Sequence, residues 1–147
     1  MLRSIAVFMK EIEGSQRAFT LVEVMIVVAV LAMLAAIAIP SFVRARKRAQ
    51  ASSTLESLRM IAGAKEQYAI ENSKGGSLTP EPADLVPYVK NGTRLYTDLL
   101  AGQAMDAIGN PMTINTLDQP PKVSPTTRSA LADALGVNAD EFWEAYK

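Results

Sequence analysis

The sequence predicts an α+β fold: one long N-terminal α-helix, half transmembrane and half amphipathic, with a small C-terminal domain of short helices and a reduced antiparallel sheet. Three observations predict it. An apolar run from Phe19 to Ile39 holds only Thr20 and Glu23 as polar residues. Apolar positions at helical spacing follow as far as Asn72. From Ser73 on, proline and glycine cut the chain into short pieces.

As a helix, Phe19 to Ile39 would measure roughly 31 Å at ~1.5 Å per residue, about the thickness of a bilayer's hydrocarbon core. A soluble core helix keeps a polar face, and this run has none beyond Glu23. It reads as a membrane segment. A cleaved secretory signal is one alternative, because Ala36 and Ala38 are small residues at the spacing a signal peptidase wants. The run is longer than the usual ~7–15 residues of such signals, and Glu23 interrupts it. Arg3, Lys10 and Arg17 precede the run; Arg44, Arg46, Lys47 and Arg48 follow it. Counted alone, these basic residues favour a C-terminal part inside the cell. The motif at the start of the run overrides that count.

That motif contains Glu23. Thr20-Leu21-Val22-Glu23 is a capping-box pattern, in which each side chain satisfies an amide at a helix start. The positive end of the helix dipole also favours a carboxylate there. Capping does not explain why the helix would start in lipid, where a charged residue costs about 2.5–3.5 kcal/mol at mid-bilayer and less toward the edge. A cut between Ala18 and Phe19 would supply a partner. The new α-amine would titrate near ~7.7–8.0 and be mostly cationic at neutral pH. Glu23 would pair with its own amine or with that of a neighbouring subunit, which would set one axial register between packed helices.

The stretch "AFTLVEVMIVVAVLAMLAAIAIPSF", Ala18 to Phe42, resembles the N-terminus of type IV pilins and type II secretion pseudopilins. The resemblance implies a leader over 1–18, cleavage between Ala18 and Phe19, and N-methylation of Phe19. It implies assembly roles for Glu23 and Pro40, the fifth and twenty-second residues of the mature chain. Implied partners are a prepilin peptidase, identical or sister subunits, an ATPase-driven inner-membrane assembly platform, and membrane lipid. The expected location is the inner membrane, single-pass, with the C-terminal domain in the periplasm and later in a periplasmic or surface filament. One departure concerns cleavage efficiency: the family usually has glycine before the cut, whereas this chain has Ala18, with Gly14 further back. Met9 also begins a leader closer to the family's usual length than one that begins at Met1.

Within the family, the reading is a structural pilus-like subunit, a type II secretion pseudopilin that helps drive protein export. Many adhesive pilins carry a C-terminal disulfide, and this chain has no cysteine. The rivals are a type IV pilin for attachment, motility or DNA uptake, and a single-span anchored domain that never polymerises. No enzyme, cofactor or metal site is expected. Without histidine or cysteine there is no thiol nucleophile, Ser-His-Asp triad or zinc site built on those residues. Fifteen basic and fifteen acidic residues cancel, so no nucleic acid partner is expected. The four basics at Arg44 to Arg48 read as a solvated or headgroup-facing turn.

Domain limits follow: 1–18 leader, 19–40 transmembrane or filament-core helix, 41–72 amphipathic continuation, 73–147 globular domain. Pro40 has no amide for the carbonyl of Ala36, which predicts a kink in a helix that continues. Continuous from Phe19 to Asn72, it would reach roughly 80 Å. Its predicted buried stripe is Ala51, Leu55, Leu58, Ala62, Lys65 and Ala69, flanked by Ile61 and Tyr68.

Short helices are expected over Pro82 to Val89 and Leu95 to Leu100, and a turn and strand over "DAIGNPMTIN", Asp106 to Asn115. Its "D-x-x-G-N-P" pattern is similar to a turn of pseudopilin sheets. Ser124 as cap, Pro125 in the first turn and Gly136 as stop predict a further helix. Asn138 and Glu141 read as a second capping box before the core aromatics Phe142, Trp143 and Tyr146. Asp98, Asp106 and Asp118 are available oxygen ligands whose spacing fits no calcium loop.

Overall fold

The computed structural model describes residues 19–147; the leader, Ala18 and the Met9 start lie outside the described residues. Helix α1 covers Leu21–Asn72, 52 residues with Pro40 inside it. The predicted continuation past the proline is therefore observed. The described chain divides after Pro40 into two compact units.

In the first unit, α1 exposes its apolar side chains all round. None of its most apolar stretch is buried, and the helix is long and apolar enough to cross a membrane. Val24, Ile26, Val28, Leu31, Leu34 and Ile37 are all exposed.

The second unit is built on the rest of α1. It adds α2 (Pro82–Leu85), α3 (Arg94–Leu100), α4 (Pro125–Leu135) and α5 (Ala139–Phe142). Single 3-10 turns cover Val86–Tyr88, Gly136–Asn138 and Glu144–Tyr146. Leu58 and Ile61 of α1 meet Leu85, Leu99, Leu131 and Trp143 in one core. Fully burying each leucine or isoleucine contributes about 1.5–3 kcal/mol.

The buried stripe of α1 is rotated slightly from the predicted one. Ala51, Thr54, Leu58, Ile61, Ala64 and Lys65 are buried, whereas Leu55, Ala62 and Ala69 are half-buried at its edge. A polar residue, Thr54, lies on the buried face because its hydroxyl bonds the carbonyl of Gln50 and accepts the amide of Ala107. Side-chain polarity therefore misplaced the centre of the stripe.

The expected reduced antiparallel sheet is corrected: among the described residues there are only two isolated antiparallel bridges, Met105 with Pro111 and Thr113 with Lys122. Each ladder stops at once for a physical reason. Pro111 has no amide to donate, and Asn115 turns left-handed at φ 59°. Pro120 and Pro121 stand where the partner strand would continue. The second capping box is also corrected, because Asn138 makes no side-chain cap bond. Asn138 ends a 3-10 turn at φ −96° and ψ 12°, outside the extended backbone of an N-cap, so its side-chain amide oxygen does not meet the amides of a fresh helix start.

Other predicted boundaries form. The hydroxyl of Ser124 accepts the amide of Thr126, Pro125 opens α4, and Gly136 closes it at φ 68°. Thr93 caps α3 by accepting the amide of Tyr96. Trp143 is buried, with Phe142 packed edge-on at 4.8 Å.

Candidate assembly site on the N-terminal helix

The start of α1 is a closed capping box. The amide of Glu23 donates to Thr20 Oγ1 at 3.2 Å, and the amide of Thr20 donates to Glu23 Oε2 at 3.4 Å. Thr20 and Glu23 thus satisfy amides that a helix start leaves open. The same carboxylate lies at the positive end of the helix dipole. Phe19, Glu23, Val24 and Val27 line a surface recess of about 340 Å³, and Phe19 is exposed. The arrangement presents one acid on an otherwise apolar surface. Chemically it can accept a cation or a hydrogen-bond donor from a neighbour.

Pro40 stands within α1, at the end of the first unit. Its ring removes one helical hydrogen bond without ending the helix. Ala18 and the proposed scissile bond lie outside the described residues.

In the second unit, two of the four basics also contact the fold. Arg48 Nε donates to the carbonyl of Ala134 at 2.8 Å, and Lys47 Nζ lies 3.4 Å from Asp133. Both cations meet the last turn of α4, where open carbonyls and the negative dipole end favour positive charge. Arg44, Arg46 and Arg48 are exposed.

The acids named from the sequence do not converge. Asp98 pairs with Arg94 at 3.6 Å, and Asp118 accepts the hydroxyl of Thr116 at 2.6 Å. Asp106 is buried and bound by its own turn: Oδ1 accepts the amides of Ile108 at 2.9 Å and Asn110 at 2.8 Å. Its Oδ2 accepts the hydroxyl of Thr127. Gly109, at φ 89°, makes the turn. Among the described residues, no three acidic, cysteine or histidine side chains group as metal ligands.

Lys65 was placed on the buried stripe by spacing, but its role was not legible. Its ammonium donates to the carbonyls of Ile114 at 2.8 Å and Gln119 at 2.5 Å, so it ties loop 114–119 to α1. Burial pushes its pKa down, and the nearby Asp118 partly opposes that. A lysine on an apolar stripe was the available signal. Thr54 and Thr127, which hold the Asp106 turn from α1 and α4, gave no signal beyond their helical register.

The family described as the prokaryotic N-terminal methylation motif matches residues 14–39. Over 58 residues the chain is 40% identical to the type IV major pilin of Myxococcus xanthus, covering 40% of this chain and 26% of that protein. It is 32% identical over 59 residues to the type II secretion system core protein G of Klebsiella pneumoniae, covering 40% and 42%. It is 39% identical over 70 residues to the type IV wide pilus major component of Thermus thermophilus, covering 48% and 51%. The matched region thus spans between about a quarter and about half of these relatives' lengths. No solved structure matches significantly. Over residues 14–39 the chain carries the prokaryotic N-terminal methylation motif, and it is similar over part of its length to type IV pilins and to a type II secretion core protein.

Proposed function

We propose that this chain is a structural, non-enzymatic subunit of a pilus-like filament, anchored in the inner membrane before assembly. One observation carries the reading: from Leu21 to Ile39, α1 exposes an apolar surface whose single acid, Glu23, sits in the matched motif three residues after Thr20. Such a surface needs either lipid or other apolar helices around it. Lipid suits it before assembly and sister helices suit it after, because both are apolar.

In this reading, residues 1–18 are the leader and a prepilin peptidase cuts between Ala18 and Phe19. Phe19 is then methylated, and its amine stays cationic. Glu23 exchanges its capping contact with Thr20 for that amine, on its own or the next subunit, and sets the axial register. Pro40 supplies the local loosening of α1 that packing in a filament needs. Residues 19–40 form the filament core, 41–72 the amphipathic continuation and 73–147 a periplasmic domain. An assembly platform in the inner membrane adds subunits.

The filament is proposed to be that of type II secretion, a reading supported by the match to core protein G and by the absence of cysteine. A type IV pilus subunit is the second reading, favoured by the Myxococcus and Thermus matches. The test of the assembly role is Glu23→Ala in cells that assemble the filament. The variant should be processed normally and accumulate in the membrane, while sheared filaments fall at least tenfold. Filaments at the normal level would contradict a register role for Glu23.

A further inference from the structure

Val137, in the corner between α4 and α5, is 102% exposed. Gly136 bends the chain there at φ 68°, and the 3-10 turn Gly136–Asn138 follows. A lone exposed valine needs no explanation, but this one lies beside a cluster of positive charge. Arg48 Nε donates to the carbonyl of Ala134 at 2.8 Å, and Lys47 Nζ lies 3.4 Å from Asp133. Val137 follows Ala134 by three residues, so it stays within roughly 10 Å of that contact. Arg44, Lys47 and Arg48 share one face of α1, because positions three and four apart are neighbours on a helix. The corner is therefore fastened to the face that carries Arg44 and Arg48. Arg44 is exposed and has no hydrogen bond or ion pair among the described residues.

The same unit keeps apolar side chains open just before the cluster: Phe42 is 69% and Val43 44% exposed. Val43 and Arg48 are five residues apart, roughly 7.5 Å along a helix. The headgroup layer on each side of a bilayer is about 5–8 Å deep. A membrane whose hydrocarbon ends near Val43 thus has its headgroups within reach of Arg44, Arg48 and the corner that Arg48 holds.

We propose that the α4–α5 corner is a foot that rests on an anionic lipid surface, an inference that rests on the reading of α1 as membrane-spanning. Val137 enters the interfacial layer, while Arg44 and Arg48 bind lipid phosphates. An arginine fork suits a phosphate, and Arg48 keeps its terminal nitrogens for one after its Nε has bonded Ala134. Asp133, Asp140 and Glu141 lie on or beside the corner and oppose an anionic surface. The four basics from Arg44 to Arg48 outnumber them by one, so the attraction is slight and the contact reversible. An acidic protein would meet the arginines equally well, but it would leave Phe42 and Val43 on the same stretch uncovered.

The chain has no cysteine, so one introduced cysteine takes a single spin label. The full chain is labelled separately as Val137→Cys, Val27→Cys and Leu100→Cys, all at exposed positions. It is reconstituted in mixed phosphatidylcholine and phosphatidylglycerol vesicles. Collision with oxygen, which enriches in lipid, and with a water-soluble nickel chelate then reports each label's surroundings. Val27 should lie in lipid, Leu100 in water and Val137 at the interface. Arg44→Gln should lower the ratio of interfacial to water-exposed Val137 label about fivefold, the effect of one cation at an anionic surface. Vesicles of phosphatidylcholine alone should lower it further. A water-exposed label at 137 with Val27 in lipid overturns the foot alone; a water-exposed label at 27 overturns the membrane reading and the foot with it. A label at 137 shielded from both reagents, with spin–spin broadening that vanishes on dilution with unlabelled chain, shows a second copy there and overturns the proposal. So does an interfacial label indifferent to both Arg44→Gln and lipid charge.

Discussion

The carboxylate of Asp106 accepts the hydroxyl proton of Thr127, and both residues are fully buried in the second unit. The same hydroxyl accepts from Asn110 Nδ2 at 2.9 Å. One threonine on α4 thus closes the "DAIGNP" turn from outside, while Thr54 on α1 holds it through the amide of Ala107. The turn is fastened to two helices in place of a sheet.

Thr127→Val keeps the side chain's shape and removes the hydroxyl. The buried carboxylate loses one donor and Asn110 loses one acceptor, so stability should fall by about 1–3 kcal/mol. Thr127→Ser should retain most of it. Denaturant unfolding followed by Trp143 emission measures both. Equal stability of the valine variant and the wild type would contradict the fastening.

Lys65 makes stability depend on pH at alkaline values. Its folded pKa is lowered from 10.5, chiefly by burial, so between that lowered value and 10.5 the unfolded chain holds more protons. Stability owed to Lys65 should therefore rise with pH across that window and stay flat below it. Tyr88 runs the other way. Its donation to Glu71 at 2.7 Å, followed by desolvation, raises its pKa from 10.0, so its stabilisation is lost as pH climbs above 10.0. Comparison with Lys65→Met cancels the Tyr88 effect: the stability difference, wild type minus variant, should grow with pH. A difference that shrinks or stays level through the window would contradict burial of the charged amine.

Gly76 lies against Asp118, where an added Cβ would meet Asp118 Cβ at 2.9 Å. The contact matters because Leu117 donates its amide to Leu78 at 2.9 Å, and Asp118 donates its amide to Gly76. Gly76→Ala should loosen this pairing and cost about 1–3 kcal/mol, as overpacking does. Gly75→Ala, with open space around it, should cost much less. Hydrogen exchange at the amides of Leu117 and Asp118 checks the pairing directly; unchanged protection in Gly76→Ala would argue against it.

Much of the fold could be read in the sequence because its signals are local. The capping box at Thr20 and Glu23, the Ser124-Pro125 start of α4 and the Gly136 stop each rest on residues within one turn of each other. The continuation of α1 past Pro40 followed from apolar spacing on its far side. Long-range contacts were not legible. Thr54 looked polar and proved buried, because its partner Ala107 lies 53 positions away. Lys65 fitted the stripe by spacing, but the two carbonyls that hold it come from a loop with no helical or strand period. The sheet failed for the same reason: a strand was expected at the end of the stretch Asp106 to Asn115, whereas Pro120 and Pro121, which deny it a partner, sit in the neighbouring segment.

The most direct measurement is the intact mass and N-terminal peptide of the protein recovered from membranes of a cell that carries a prepilin peptidase. The proposed processing gives a chain that starts at Phe19 with a methylated amine. A chain that starts at Ile39, as a secretory signal would leave, or one that remains uncut through Ala18-Phe19, would contradict it.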